Sequence, residues 1–530
     1  MRRWNGWGDE GVLLDAPESA VVFIEGKVGP GRPPADASLE RALAAVPTPR
    51  LSAPAFVDQS PLARLRHSLG ESLPDMIAVR AGRLPGYVDG VAWPTSADEV
   101  RQALAWAAQA GAAVIPYGGG TSVVGHLDPG GLDRPTLSLD MSRCSALQEL
   151  DGDGRLAVFG AGAAGPDVEA ALRAHGFTLG HFPQSWEYST LGGWIAARSS
   201  GQFSLGYGRI EALFVGGRLE TPRGELVLPA LPASAAGPDL RQVVLGSEGR
   251  LGVITQATVK ISPAPQVEDL RGAFFADQGQ AVDAARSLAQ SGLPLTMVRL
   301  SLPAETETSL RLAGGGRAMV ALRKYLAWRG VGQGMCLMLY GFCGGRRAAR
   351  WVMAEAGRVV ARAGGVAVGR RPGRQWLRNR FSLPYLRNNL WAMGYAADTL
   401  ETATPWRAVL PMAQAIEEAL AGSLADEGER VHAFTHLSHV YAHGASVYTS
   451  YVFRLGQGPE QTLARWRKLK AAASRTIVAN GGTISHQHGV GLDHKAYLPA
   501  EKGPLGLDLL RAQCAAMDPK GMMNPGKLLD

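Results

Sequence analysis

The chain has 530 residues, of which 46% are hydrophobic and 19% charged, and a formal net charge of +7. That length exceeds one ordinary core, so two or more domains are expected, and the composition excludes a disordered chain. The positive balance suits phosphorylated or anionic substrates; with no lysine/arginine block interleaved with aromatics, no nucleic-acid partner is expected.

The first 55 residues, rich in Pro, Ala and Gly around Gly29-Pro30-Gly31-Arg32-Pro33-Pro34, read as a lead-in. The basic start has no apolar stretch behind it, so it is no secretory signal, and no run of about 18 apolar residues is present to span a bilayer. A first domain is expected over 56–265. Ser96 and Glu99 form a capping-box pattern, Val100, Leu104 and Ala107 continue one helical face, and Gly111 stops it. A strand over 112–116 then opens into a glycine loop. Strands are predicted at 136–140 and 156–159, a helix at 167–174, and strands dominate 200–260. After Pro263 and Pro265 the pattern changes to longer helices and strands, giving a cap domain over 266–494, with a helix at 459–479 stopped by Gly481-Gly482. Residues 495–530 are expected to return to the first domain. Cys144, Cys336, Cys343 and Cys514 form no CxxC pair, so neither a disulfide framework nor a zinc ribbon is expected, and a reducing cytoplasm fits. Abundant Ala, Gly and Arg point to a GC-rich bacterial genome.

Three segments suit a flat, phosphorylated cofactor. Pro116-Tyr117-Gly118-Gly119-Gly120-Thr121-Ser122 lets backbone N–H groups approach a pyrophosphate, because glycine has no Cβ. Its spacing is neither a dinucleotide fingerprint nor a Walker loop, and a tight structural turn explains it equally well when it is taken alone. Gln184-Ser185-Trp186-Glu187-Tyr188-Ser189-Thr190 leads into a Gly-Gly turn and Ala197-Arg198-Ser199-Ser200, small and hydroxyl residues suited to a ring and a ribityl chain. Glu248-Gly249-Arg250-Leu251-Gly252-Val253-Ile254 can run along a planar edge. Together these segments resemble the FAD-binding domain of the vanillyl-alcohol oxidase / p-cresol methylhydroxylase flavoprotein superfamily. Within it the chain is similar to the alkyldihydroxyacetonephosphate synthase family, over nearly its whole length. The similarity starts at Trp4-Asn5-Gly6-Trp7-Gly8 and ends at Ser485-His486-Gln487-His488-Gly489.

The resemblance implies an α+β fold: a two-subdomain FAD-binding domain plus an α/β cap. It implies FAD, held noncovalently because residues 116–122 contain no histidine and His126 lies beyond them. It further implies exchange of the acyl group of an acyl-dihydroxyacetone phosphate for a fatty alcohol, with no net redox change. Tyr441 matches the family's catalytic tyrosine, Arg387 its substrate-binding arginine, and Arg299 a second important arginine. His486 and His488 match the outer members of a three-histidine motif whose middle position is Gln487 here. Glutamine cannot shuttle a proton near neutral pH. Asn388 stands where family members often carry Asp, a change expected to weaken the positioning of Arg387.

Two alternatives remain open at this point. One is an FAD-linked dehydrogenase or oxidase of a 2-hydroxy acid or polyol phosphate. The other is a non-catalytic lipid-binding protein, since Arg317 to Arg329 could lie on a bilayer as a basic amphipathic helix. His432, His436, His439 and His443 are dense, but no Asp or Glu lies among them, and no metal is expected. A small lipid or phosphorylated substrate, peripheral membrane contact and a homodimer are the expected associations.

Overall fold

The computed structural model describes every residue except 1, 13, 15–17, 313 and 315. The first sheet contains Val57–Asp58 (β1), Gly90–Ala92 (β2), Ala113–Tyr117 (β3) and Thr136–Asp140 (β4), in the order β1-β2-β4-β3, with β4 parallel to both β2 and β3. The helix Ala97–Gln109 connects β2 to β3. Ser96 caps it by accepting from the Glu99 backbone N–H, and the Thr95 backbone donates to the Glu99 carboxylate. Its buried face, Val100, Ala103, Leu104 and Ala107, packs with Leu137 and Leu139.

Seven strands follow: Leu147–Asp151 (β5), Leu156–Gly160 (β6), Phe177–Thr178 (β7), Phe214–Thr221 (β8), Gly224–Leu228 (β9), Val253–Lys260 (β10) and Ser262–Pro263 (β11). Five of them make an antiparallel sheet in the order β5-β6-β10-β8-β9, while β7 and β11 pair with each other. Two short helices, Ser204–Tyr207 and Ile210–Leu213, precede β8; Gly208, at φ 94°, ends the first of them. The C-terminus runs beside β3: Val114 donates to the Met522 carbonyl and accepts from the Asn524 N–H, each at 2.8 Å.

The largest sheet is antiparallel. It contains Val267–Phe275 (β12), Met297–Ser301 (β13), Cys336–Gly344 (β14), Val366–Gly369 (β15), Tyr395–Pro405 (β16), His432–Leu437 (β17), Val440–Tyr441 (β18) and Gly444–Arg454 (β19). Their order is β15-β12-β14-β13-β17-β19-β16, with β18 attached to β19. Side chains alternate between its faces. Ala273, Phe275, Met338, Tyr340, Val298, Leu300, Tyr451 and Phe453 point to one face, where the helices Gln278–Gln290, Arg346–Arg362, Val409–Gly422 and Pro459–Ala479 cover them. A buried polar clamp fixes the last of these helices: Asp398 on β16 accepts from Trp466 Nε1 at 2.7 Å and Tyr451 Oη at 3.0 Å, and Lys470 lies 3.6 Å away. Lys470 and the nearby Arg387 hold the Asp398 carboxyl below its usual range against the opposing effect of burial.

The lead-in contains two helices, Glu18–Val28 and Leu39–Ala44, and the first packs against β17 and β19. All four cysteines are free thiols. Among the described residues no helix is long and apolar enough to cross a membrane. Phe275 is fully buried between sheet and helices. Phe275→Ala is therefore expected to lower stability by about 3–5 kcal/mol in urea titration, through lost burial and the cavity left behind.

Candidate active site

The second face of the large sheet, together with the two smaller sheets, encloses a cavity of about 1190 Å³. The floor is graded. Phe274, Leu337, Leu339 and Met297 make one apolar end, while Phe434, Val452 and Ala397 make the other; between them lie Arg299, Ser301, His436, Tyr448, Ser450 and Thr399. The N-terminal segment closes one wall with Trp7, Ala20, Val21, Phe23 and Ile24. The lead-in thus forms part of the site.

The glycine loop emerges from β3. Cβ atoms at Gly118 and Gly119 would overlap Thr190 Oγ1 and the Tyr188 carbonyl, and Gly120 has φ 66°, so the loop can lie against 188–190 only as glycine. All of Pro116 to Ser122 line the cavity, as do Gln184, Ser185, Ser189, Thr190, Ala197, Ser199, Ser200, Glu248, Gly249, Gly252, Val253 and Ile254. Six expected cofactor residues are absent from its lining. Trp186 stacks on Phe381 at 5.0 Å, and Tyr188 packs on Trp7. Glu187 stays off the wall beside Tyr385. Arg198, left-handed at the C-cap of Leu191–Ala197, donates to Gln242. Arg250 donates to the Met523 and Asn524 carbonyls, and Leu251 is buried in the core behind. Alternating contacts along a turn send such residues backward, which a linear motif does not reveal.

The catalytic candidates divide similarly. Arg387, Arg299, Gln487 and His488 line the cavity; Tyr441 and His486 stand outside its lining. Tyr441 Oη lies 2.6 Å from His486 Nε2, and His486 Nδ1 lies 3.4 Å from Glu401 Oε1. A carboxylate facing Nδ1 selects the Nδ1–H tautomer, so Nε2 accepts from the tyrosine hydroxyl. Gln487 Nε2 donates to Glu401 Oε2 at 2.5 Å. A connected path therefore runs from Gln487 on the wall through Glu401 and His486 to Tyr441. Burial opposes ionisation of Glu401, but His486 and the neighbouring histidines outweigh it and hold the carboxyl well below its usual range. Burial pushes the Tyr441 phenol up to about 12, against the opposing pull of Arg209, so it keeps its proton at neutral pH.

Arg299 is committed to Glu305 at 2.6 Å, and Glu305 also meets His436 at 2.5 Å. Although burial opposes it, His436 and Arg299 hold Glu305 down to about 2. Arg387 donates from Nη1 to the Glu71 carbonyl at 2.8 Å, while its buried Nε and Nη2 have no hydrogen-bond partner among the described residues. Asn388 does not touch this guanidinium: it donates to the Trp7 carbonyl and accepts from Arg80. The loosening of Arg387 expected from Asn at this position therefore has no contact to act through: the amide makes two hydrogen bonds, one of which a carboxylate could not donate.

The sequence reading gave no role to Glu401, Arg209 or His439. Arg209 donates to the carbonyls of His486 and Arg198, and His439 stacks on His486 at 5.1 Å while hydrogen-bonding Ser204. Glu401, a charge inside a long strand, was the available signal. Of the dense histidines, His432 bonds Thr308, His436 bonds Glu305 and His443 is exposed. Glu401, His439 and His486 bring possible ligand atoms within 4.8 Å of one another, and each also makes the polar contacts described above.

This arrangement fits a large flavin nucleotide. Backbone of the glycine loop faces the cavity, Trp194, Val253 and Ile254 add apolar wall, and Asn524 presents a buried Oδ1 with no hydrogen-bond partner among the described residues. The fold and site define an FAD-binding protein of the p-cresol methylhydroxylase type. Residues 88–228 match the family described as FAD binding domain, and residues 264–528 that of FAD linked oxidases, C-terminal domain. The structure of p-cresol methylhydroxylase with substrate bound superposes with a TM-score of 0.66 over 84% of this chain and 91% of that one, at 14% identity, a likeness of fold. The alkyldihydroxyacetonephosphate synthase of Trypanosoma brucei brucei is 31% identical, covering 99% of this chain and 92% of that protein. A solved alkyldihydroxyacetonephosphate synthase structure superposes with a TM-score of 0.86 at 28% identity, over 99% of both chains. The chain belongs to the alkyldihydroxyacetonephosphate synthase family.

Gly119→Ala is expected to push the loop off residues 188–190 and lower the FAD-to-protein absorbance ratio of the purified protein severalfold. Burial also lowers His181 to about 3 and His432 and His488 to about 4. Unfolded histidine titrates near 6.5, so below that pH the unfolded chain binds more protons than the folded one. Stability is thus fully present above about pH 6.5 and falls as the pH drops towards 4. Melting temperatures measured across this window should fall on acidification, and less steeply for His432→Gln.

Proposed function

We propose that the protein exchanges the acyl chain of an acyl-dihydroxyacetone phosphate for a fatty alcohol. The ester-side C–O bond breaks, a fatty carboxylate and one proton leave, and an ether C–O bond forms with the alcohol oxygen. The observation that carries this reading is Arg387: a buried guanidinium with two unpartnered nitrogens, on the wall of a cavity that also has apolar ends. Two parallel N–H donors match a phosphate group, and the apolar floor matches a long chain. FAD, when bound, supplies the electron-accepting ring system beside which the exchange takes place.

The chain's own residues then have distinct tasks. Arg387 grips the phosphate. Tyr441, protonated at neutral pH, and His486 hold a proton between Oη and Nε2. Glu401 keeps the imidazole oriented and favours its charged form when that proton moves. Gln487 contributes a hydrogen bond and no proton transfer. Arg299, paired with Glu305, forms a charge-neutral ion pair on the floor and leaves the phosphate to Arg387.

The same reading includes contact with a bilayer. Helix Arg317–Trp328 exposes Val320, Tyr325 and Trp328, the last 79% exposed, beside Arg323 and Lys324, while Ala318, Met319 and Leu322 line the apolar end of the cavity. Such a helix suits the passage of long chains between membrane and cavity.

The test is to mix FAD-loaded protein with palmitoyl-dihydroxyacetone phosphate and hexadecanol, following released palmitate and ether product. D-lactate and glycerol 3-phosphate with an artificial electron acceptor serve as the redox controls. Ether formation is expected; turnover of the controls alone would overturn the proposal in favour of a dehydrogenase. Tyr441→Phe and Glu401→Gln should each lower kcat by about 10²-fold or more with FAD retained. Arg387→Met should raise KM on the order of 10²-fold.

A further inference from the structure

The motif Trp4-Asn5-Gly6-Trp7-Gly8 has no part in the chemistry above, yet it lies between the two halves of the site. Residues 2–9 form a hairpin, closed by the Arg2/Asp9 bridge and by the Arg3 N–H donating to the Gly8 carbonyl at 2.8 Å. On one side the hairpin holds the glycine loop: Arg2 Nη1 donates to the Gly119 carbonyl at 2.6 Å, and Trp7 packs edge-on to Tyr188 at 5.6 Å. On the other side it holds the helix Leu386–Ala392. Asn388 Nδ2 donates to the Trp7 carbonyl at 2.9 Å, and Gly8 lies so close to the Tyr385 ring that a Cβ there would overlap it. Arg80 joins both, donating to the Asn5 carbonyl at 2.8 Å and to Asn388 Oδ1 at 3.1 Å. A second link runs in parallel: the Glu71 N–H donates to the Ser122 carbonyl at 2.6 Å, and the Glu71 carbonyl accepts from Arg387.

We propose that the 2–9 hairpin, acting through the Trp7–Asn388 hydrogen bond, positions Arg387 relative to the glycine loop, so that the phosphate group of the substrate is held in register with the cofactor. This rests on the assignment of Arg387 to phosphate made above. The chemistry requires an amide at 388. One position must donate to a carbonyl and accept from a guanidinium, and a carboxylate can do only the second. Aspartate at 388 would set a carboxylate oxygen against the Trp7 carbonyl and open the contact. Gly6 is bound by the same geometry, because a Cβ there would overlap Asn388 Oδ1.

The experiment uses full-length, FAD-loaded protein and calorimetric titration with dihydroxyacetone phosphate, alongside KM and kcat in the exchange assay. Asn388→Asp and, independently, Gly6→Ala are expected to weaken binding and raise KM by about tenfold, equivalent to ~1.4 kcal/mol, with kcat, FAD content and melting temperature nearly unchanged. In an Arg387→Met background neither change should weaken binding further, because the residue they position is gone. Equal losses in both backgrounds, or no loss in the native background while Arg387→Met abolishes binding, would overturn the positioning role and leave the phosphate assignment standing. Unchanged binding in Arg387→Met itself would overturn both.

Discussion

The site depends on one constraint: the eight-stranded sheet is buried on both faces for different reasons. Successive residues of a strand point in opposite directions, so a single run such as Met297 to Ser301 must serve a helix-covered core through Val298 and Leu300 and a ligand cavity through Met297, Arg299 and Ser301. The core face supplies the hydrophobic stabilisation that keeps the strands in register. With that register fixed, polar groups on the opposite face are held in place at the cost of their own desolvation. A slip of one residue would exchange the two sets.

Desolvation then decides how those polar groups behave. Glu401 and Glu305 are buried carboxylates that stay ionised because imidazoles and a guanidinium surround them. Tyr441 is buried without enough positive charge to ionise it, so it remains a donor. The opposite shifts put an acceptor and a donor at the two ends of one imidazole, the arrangement acid–base work requires. Gln487 fits this network as the neutral donor that satisfies the second oxygen of Glu401. Its presence in place of histidine leaves the Glu401–His486 ion-pair contact and the His486–Tyr441 hydrogen bond in place.

Much of the fold was legible in the sequence. The capped helix after Ser96, the strand feeding the glycine loop, the helix at 459–479 and the helix at 317–328 each carry local signals of capping, periodicity or glycine punctuation, and such signals act within a few residues. The segments of the cofactor site were legible for the same reason, since a glycine loop is defined by its own backbone. The misplacements have a common origin. Trp186, Tyr188, Arg198, Arg250 and Leu251 sit in the right segments but turn away from the cavity.

Sequence alone determined the size and globular character of the chain, its FAD-binding type and its family, and it named candidate reactive side chains such as Tyr441, His486 and Arg387, because these depend on composition and on short motifs. Only the tertiary structure decided which of those side chains meet. Glu401 reaches His486 across 85 positions of sequence, Arg2 reaches Gly119 across 117, and Asn388 reaches Trp7 across 381. Each pairing is set by sheet register and by the packing of distant elements, and no local pattern in the chain encodes it.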